Sequence, residues 1–333
     1  MEKKNILVTG GAGFIGSFLC EALLREGNRV ICVDDLSTGN LLNIESLLRN
    51  PDFQFLKADI TLPLNLETFS ELDPFKIKFV GVQEIYHLAM PTSVKNYEQF
   101  RMHAVLTNAV GTQHVLDIAV KYRAKFLLTS SATVYGARQG EETVQESVYG
   151  AFDHLNPRGC FNEGKRFAET MTTTYADVQN VDAKIARIFR TYGPRMPLFH
   201  GHQIPDFVLN VLDGEPLMIS GNAQSTTALT YVTDIVDGLM RLMKAEKGIG
   251  PVNLGNDHDM PIAEIAQKIM ELAESQSEIR YEPQPAHMMM LALPGLQKAR
   301  EKLGWIPLVR LDDGLRKTID YIRANKLLLT QGA

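Results

Sequence analysis

Short apolar runs alternate along this chain with longer stretches whose apolar positions recur at helical spacing. Ile6–Val8 is a continuous apolar run, as expected of a strand buried on both faces, and Phe14, Ile15, Phe18, Leu19, Ala22 and Leu23 then follow a helical period. The alternation repeats. Strands are predicted over Arg29–Val33, Phe53–Lys57, Glu84–Leu88, Phe126–Ser130 and Ala183–Phe189, and helices over about Leu41–Arg49, Tyr97–Tyr122 and Phe161–Val178. The region Thr61–Gly81 reads as loop with a short helix. Strands alternating with helices predict an α/β fold, a doubly wound parallel sheet with helices on both faces and right-handed crossovers. Beyond Tyr192-Gly193-Pro194 the pattern changes to more Pro and Gly and short strands such as Leu217–Ser220. Helices return over Tyr231–Met243, Ala263–Glu274 and about Leu311–Arg323, before a tail expected to fray.

Between the first strand and the first helix lie Gly10, Gly11, Gly13 and Gly16. Strand, glycine turn and helix in that order suit a pyrophosphate: a tight turn, close backbone approach, and a helix N-terminus offering free N–H groups. The second strand ends in Asp34 and Asp35, at the spacing where a carboxylate meets the adenine ribose hydroxyls. A carboxylate there repels a ribose 2′-phosphate, so NAD is favoured over NADP. The expected division is a Rossmann domain over residues 1–190, with 231–260 returning to it. A smaller C-terminal α/β substrate lobe is expected over 191–230 and 261–333.

Composition excludes several alternatives. The chain has 333 residues, is 45% hydrophobic and 22% charged, and carries a net charge of −5, so it offers no electrostatic reason for binding nucleic acid or an anionic membrane. The expected partner is a small-molecule substrate. Cys20, Cys32 and Cys160 cannot all pair, no signal peptide is evident, and no apolar run reaches membrane-spanning length, which together predict a reducing cytoplasmic setting. No metal-ligand spacing stands out. His200, His202 and His287 are read as surface or loop histidines in preference to a metal or proton-shuttle cluster.

A long series of ordered segments resembles the extended short-chain dehydrogenase/reductase family of nucleotide-sugar enzymes, most of all the UDP-glucuronate decarboxylases. The segments run from Thr9–Ser17 and Asp34–Gly39 through Asp59-Ile60, His87–Ala89, Val134–Gly136, Glu163–Arg166 and Thr191–Met196 to Tyr231-Val232-x-Asp234, Val252–Gly255 and Leu303–Trp305. The resemblance implies NAD held by Gly10, Gly13, Phe14, Ile15, Gly16, Asp34, Asp35, Ser37, Thr38 and Gly39. It further implies that Asp59 and Ile60 flank the adenine, Leu88 and Ala89 line the cofactor, and Lys165 bonds the nicotinamide ribose. It also implies a homodimer formed through the helices around Tyr97–Tyr122 and Phe161–Val178.

The reaction machinery departs from that family. The tyrosine four residues before the lysine is Phe161, and a phenyl ring cannot move a proton. In the loop Ser130–Tyr135 the helper hydroxyl is replaced by Ala132 and the carboxylate by Thr133. Ser131, Thr133 and Tyr135, with Lys165, are the candidates for relocated acid–base chemistry; Tyr149 and Cys160 are weaker ones. On the substrate side Arg190 stands where the family has Asn, and Thr227 where it has Arg. His287 and Met289 lie in a segment that normally carries a phosphate-gripping Arg. Arg190 either binds a substrate carboxylate or phosphate or pairs with a buried acid. Two functions follow: an enzyme using NAD for transient internal oxidation of a modified nucleotide sugar or related metabolite, or a silent NAD-binding protein.

Overall fold

The computed structural model describes residues 3–92, 97–138, 140, 143–283 and 290–330. Seven parallel strands form the central sheet: β1 (Asn5–Thr9), β2 (Arg29–Asp34), β3 (Phe53–Lys57), β4 (Glu84–His87), β5 (Lys125–Ser131), β6 (Ala183–Ile188) and β7 (Pro251–Leu254). Their order across the sheet is β7-β6-β5-β4-β1-β2-β3. The order reverses direction between β1 and β4, which opens a crevice at the carboxyl ends of the strands. Central strands are buried throughout, so β1 reads as an unbroken apolar run instead of alternating.

Apolar faces of helices cover both sides. On one side α1 (Phe14–Arg25) and the later helix Val232–Lys244 pack together with Trp305, whose Nε1 donates to the Asp234 carbonyl at 2.9 Å. The other side buries Val115, Leu116, Ile118 and Ala119 of the helix Thr112–Tyr122 against Leu7, Ile31, Ile85 and Phe126. A separate core gathers Tyr192, Phe207, Val208, Ile219, Val232, Ile265, Ile269, Leu315 and Ile319. That second core caps the crevice, because Ile204, Ile262 and Ile265 line the same cleft as the glycine turn.

Several elements differ from the sequence reading. Leu41–Arg49 forms two short 3-10 turns, Leu41–Asn43 and Glu45–Leu47, separated by Ile44 at φ −118° and ψ 4°. Asn40 caps the first by accepting from Leu42 N–H, so the local side chain wins over the apolar period. The long pattern from Tyr97 to Tyr122 is two helices, Tyr97–Leu106 and Thr112–Tyr122, joined by a π turn over Thr107–Gly111. The last helix runs to Thr330, beyond the expected end at Arg323, with Lys326 paired to Asp213.

Candidate active site

One cleft of about 360 Å³ runs from the glycine turn to the second core. At its near end the backbone leaves no room for side chains. A Cβ on Gly16 would fall 2.1 Å from the Gly10 carbonyl oxygen, and one on Gly10, at φ +72°, would fall 2.7 Å from Ala89 N. The first turn of α1 carries no acidic residue and no side-chain cap, so its free N–H groups and dipole are uncompensated. That suits a bound diphosphate.

Asp34 closes this turn from beneath. Its two carboxylate oxygens accept from Ala12 N (3.0 Å) and Leu36 N (2.9 Å), and Leu36 is thereby held at φ +65°. Burial raises its pKa, opposed by those two N–H bonds. Asp35 accepts from Ser37 N at 2.9 Å and bonds His103 Nε2 at 2.8 Å. Asp35, Asp59 and His103 bring their ligand atoms within 4.8 Å of one another, the one metal-like grouping among the described residues. All three line the cleft. Ser37, Thr38, Gly39, Ile60, Leu88 and Ala89 line this half, so every residue expected to hold the cofactor faces the same cleft.

The middle of the cleft is floored by Lys165, 5% exposed, whose Nζ donates to the Thr129 carbonyl at 2.9 Å. Burial pulls its pKa down to about 8, resisted by the nearby Glu169. Behind it, Glu169 accepts from Ser130 Oγ at 2.5 Å and takes a two-pronged pair from Arg187 at 3.0 and 2.7 Å. Below, His87 is held neutral, its pKa lowered to about 3 by burial and then by Lys165, between Thr9 Oγ1 (2.7 Å) and Thr112 Oγ1 (3.1 Å).

Among the proton-handling candidates, Ser131 and Thr133 line the cleft. Ser131 Oγ accepts from Thr133 N at 3.3 Å, while Thr133 Oγ1 is buried without a hydrogen-bond partner. Tyr135 does not belong with them. Its hydroxyl donates to Asn253 Oδ1 at 2.7 Å and accepts from Arg187 at 2.8 Å, and burial pushes its pKa to about 12. It faces β6 and β7 rather than the cleft, so it cannot serve as the replacement phenol. Tyr149 is 97% exposed and also outside the cleft. Phe161 does line it, with the Arg158 guanidinium carbon 5.9 Å from its ring centre.

At the far end Arg190, Thr227 and His202 line the cleft, together with Arg158, which the sequence reading did not single out. His202, in the loop that leads into the helix Gln203–Asp213, is thus a half-buried cleft residue. Burial, His200 and the two arginines lower its pKa to about 4. The Arg190 guanidinium makes no hydrogen bond or ion pair with a described residue; burial and Arg158 both lower its pKa. His287 and Met289 lie outside the described residues. Arg158 caps the helix Gly159–Gln179 and comes to line the same cleft as Arg190 only through the fold, so no local motif marks it.

Comparisons with known proteins identify the family. Residues 7–318 match the family model described as GDP-mannose 4,6 dehydratase. A UDP-glucuronic acid decarboxylase 1 of Danio rerio is 38% identical over 320 residues, 96% of this chain and 73% of the relative. Among solved structures, an epimerase from Methanothermobacter thermautotrophicus superposes with a TM-score of 0.85 at 28% identity, covering 100% of this chain and 96% of that one. A UDP-glucuronic acid 4-epimerase from Bacillus cereus, in complex with UDP-glucuronic acid and NAD, gives 0.82 at 27% identity, covering 96% and 99%. On the strength of a match over nearly its whole length, the chain belongs to the GDP-mannose 4,6-dehydratase family of extended short-chain dehydrogenase/reductases.

Proposed function

We propose that the chain is an NAD-dependent enzyme that transiently oxidises a nucleotide sugar. The change it promotes is at a carbon next to the oxidised one: decarboxylation, dehydration or epimerisation. The glycine turn and the N-terminus of α1 would hold the pyrophosphate, Asp34 and Asp35 the adenosine ribose, Asp59 and Ile60 the adenine, and Lys165 the nicotinamide ribose. When bound, NAD supplies a hydride acceptor that returns the hydride before product leaves. A decarboxylase relative and an epimerase neighbour in complex with NAD and UDP-glucuronic acid support the substrate class.

The observation that carries the reading is Lys165, buried in the cleft floor with Thr129 O as its one hydrogen-bond partner among the described residues. With the family phenol replaced by Phe161, proton transfer falls to this amine. Its pKa of about 8 leaves about a tenth of it neutral at pH 7. The neutral amine takes the proton of the sugar hydroxyl as that carbon is oxidised, and the ammonium returns it on reduction. Thr133 Oγ1, buried and unpartnered, orients that hydroxyl. Ketone formation acidifies the neighbouring C–H bond and activates a β-carboxylate, which drives the middle step.

A second reading, a silent NAD-binding protein, is favoured by Phe161 itself. Absorbance at 340 nm and product analysis decide between them, using NAD-loaded protein with UDP-glucuronate, UDP-glucose and their 4-epimers. A transient NADH signal or a new nucleotide sugar supports the enzyme. NAD binding with neither signal nor product across the panel supports the silent protein. Free Cys20, Cys32 and Cys160 fit the reducing cytoplasm. Exposed Met102, Val105, Leu106, Phe167 and Val178 on the helices Tyr97–Leu106 and Gly159–Gln179 fit pairing with a second copy. Light scattering of the purified protein tests that.

A further inference from the structure

Lys165 and Glu169 lie one turn apart on the helix Gly159–Gln179, so their side chains share a face. Each grips β5. Lys165 Nζ donates to the Thr129 carbonyl at 2.9 Å, and Glu169 Oε1 accepts from the hydroxyl of the next residue, Ser130, at 2.5 Å. The two bonds are rungs that tie one helix turn to successive strand residues, and Ser130 itself lines the cleft. Arg187 of β6 completes the hold, its Nε and Nη2 donating to the two Glu169 oxygens at 3.0 and 2.7 Å. Charge-assisted, two-pronged bonding of this kind fixes a carboxylate firmly. Glu169 therefore acts on Lys165 across space, while the amine bonds the strand.

Burial disfavours the Lys165 ammonium, and Glu169 is the group that opposes it. The neighbouring titratable and charged groups keep one state through the neutral range. His87 of β4 stays neutral, its pKa lowered to about 3, and the Tyr135 phenol on Arg187 is pushed up to about 12. Arg187, and Arg158 and Arg190 on the cleft wall, stay charged. The π turn packed on the helix brings uncharged Asn108 against Gly164. We propose that Glu169 is the positioning residue for Lys165: it anchors the strand that holds the amine, places a negative charge behind it, and so sets the pH range in which Lys165 exchanges protons. This inference rests on the reading of Lys165 as the proton carrier.

Competitive acetylation with acetic anhydride between pH 6 and 10, read peptide by peptide by mass spectrometry, gives the Lys165 titration midpoint without any turnover. The 340 nm transient of NAD-loaded protein with UDP-glucuronate, followed over the same range, gives the midpoint of the oxidation. Glu169→Gln keeps the shape and is expected to lower both midpoints by about one pH unit. Glu169→Asp should return them towards wild type. Where Glu169→Gln does not fold because Arg187 is left unpaired, Glu169→Gln combined with Arg187→Met carries the same test, since Glu169 is the charge felt at the amine. A midpoint equal to wild type overturns the proposal even if the variant is less stable, which is all that a merely structural role predicts. A Lys165 midpoint that moves in a protein giving no transient keeps the coupling and removes the proton-carrier reading. A wild-type transient whose pH limb is unchanged in Glu169→Gln keeps that reading and removes the inference.

Discussion

The glycine-turn end and the Arg190 end of the cleft are built on different terms. At the first, the polar groups closing the turn are mutually satisfied: Asp34 takes two backbone N–H groups, and Asp35 takes His103 and Ser37. From the middle of the cleft to the second end, Thr133 Oγ1 and the Arg190 guanidinium have no hydrogen-bond partner among the described residues, and Lys165 holds a charge against its burial. Completed bonding stabilises the fold, whereas incomplete bonding stores cost that a ligand removes. The same substitution type should therefore act with opposite sign on stability at the two ends.

The largest expected effect is at Lys165. Lys165→Met should slow any oxidation step by about 10²–10⁴-fold, read as the 340 nm transient. Its folded pKa of about 8 lies below the ordinary 10.5, so the unfolded chain binds more protons between those values and stability rises with pH across that window. Lys165→Met should erase this rise, on the order of 3 kcal/mol, in urea titrations compared at pH 7.5 and 10.5. A lysine variant no more stable than wild type at pH 7.5 would break the contrast between the two ends.

Asp34→Ala comes next, with a loss of about 3 kcal/mol in unfolding free energy, since two N–H groups lose a charged acceptor and Leu36 loses its hold at positive φ. Gly16→Ala should cost about 1–3 kcal/mol and weaken NAD binding, measured by calorimetry, because its Cβ meets the Gly10 carbonyl. The smallest effect is at Thr133. Thr133→Val replaces an orphaned hydroxyl with a methyl and should leave stability equal or raised by about 1 kcal/mol, while slowing turnover. A clear destabilisation there would show that the hydroxyl is bonded in the free protein.

Much of the cofactor half was legible because its signals are local. Gly10, Gly13 and Gly16 follow β1 directly, and the acids end β2. What stayed hidden depends on contacts between distant segments. Asp34 was read as facing a ribose, yet its oxygens first serve Ala12, 22 residues back, and Leu36. Tyr135 follows the cleft loop in sequence but turns to Asn253, 118 residues away, a direction no period encodes. Arg158 and Arg190 meet across elements, so neither marks the other along the chain. The π turn at Thr107–Gly111 was invisible for a subtler reason: one widened turn shifts the register of a long apolar pattern without interrupting it.

The return of the chain to the sheet at β7, after an excursion through the second core, has a mechanical outcome. Among the described residues the chain passes between the two cores five times, after Ala186, Val232, Leu254, Ile269 and Trp305. Five tethers leave the lobes little freedom to swing as hinged bodies, so reactants must be admitted by bending of short rim segments rather than by a gaping jaw. Severing the polypeptide near residue 190 would also strip β7 from its neighbour and bare the rim of β6, a template for sticking to further molecules of the fragment.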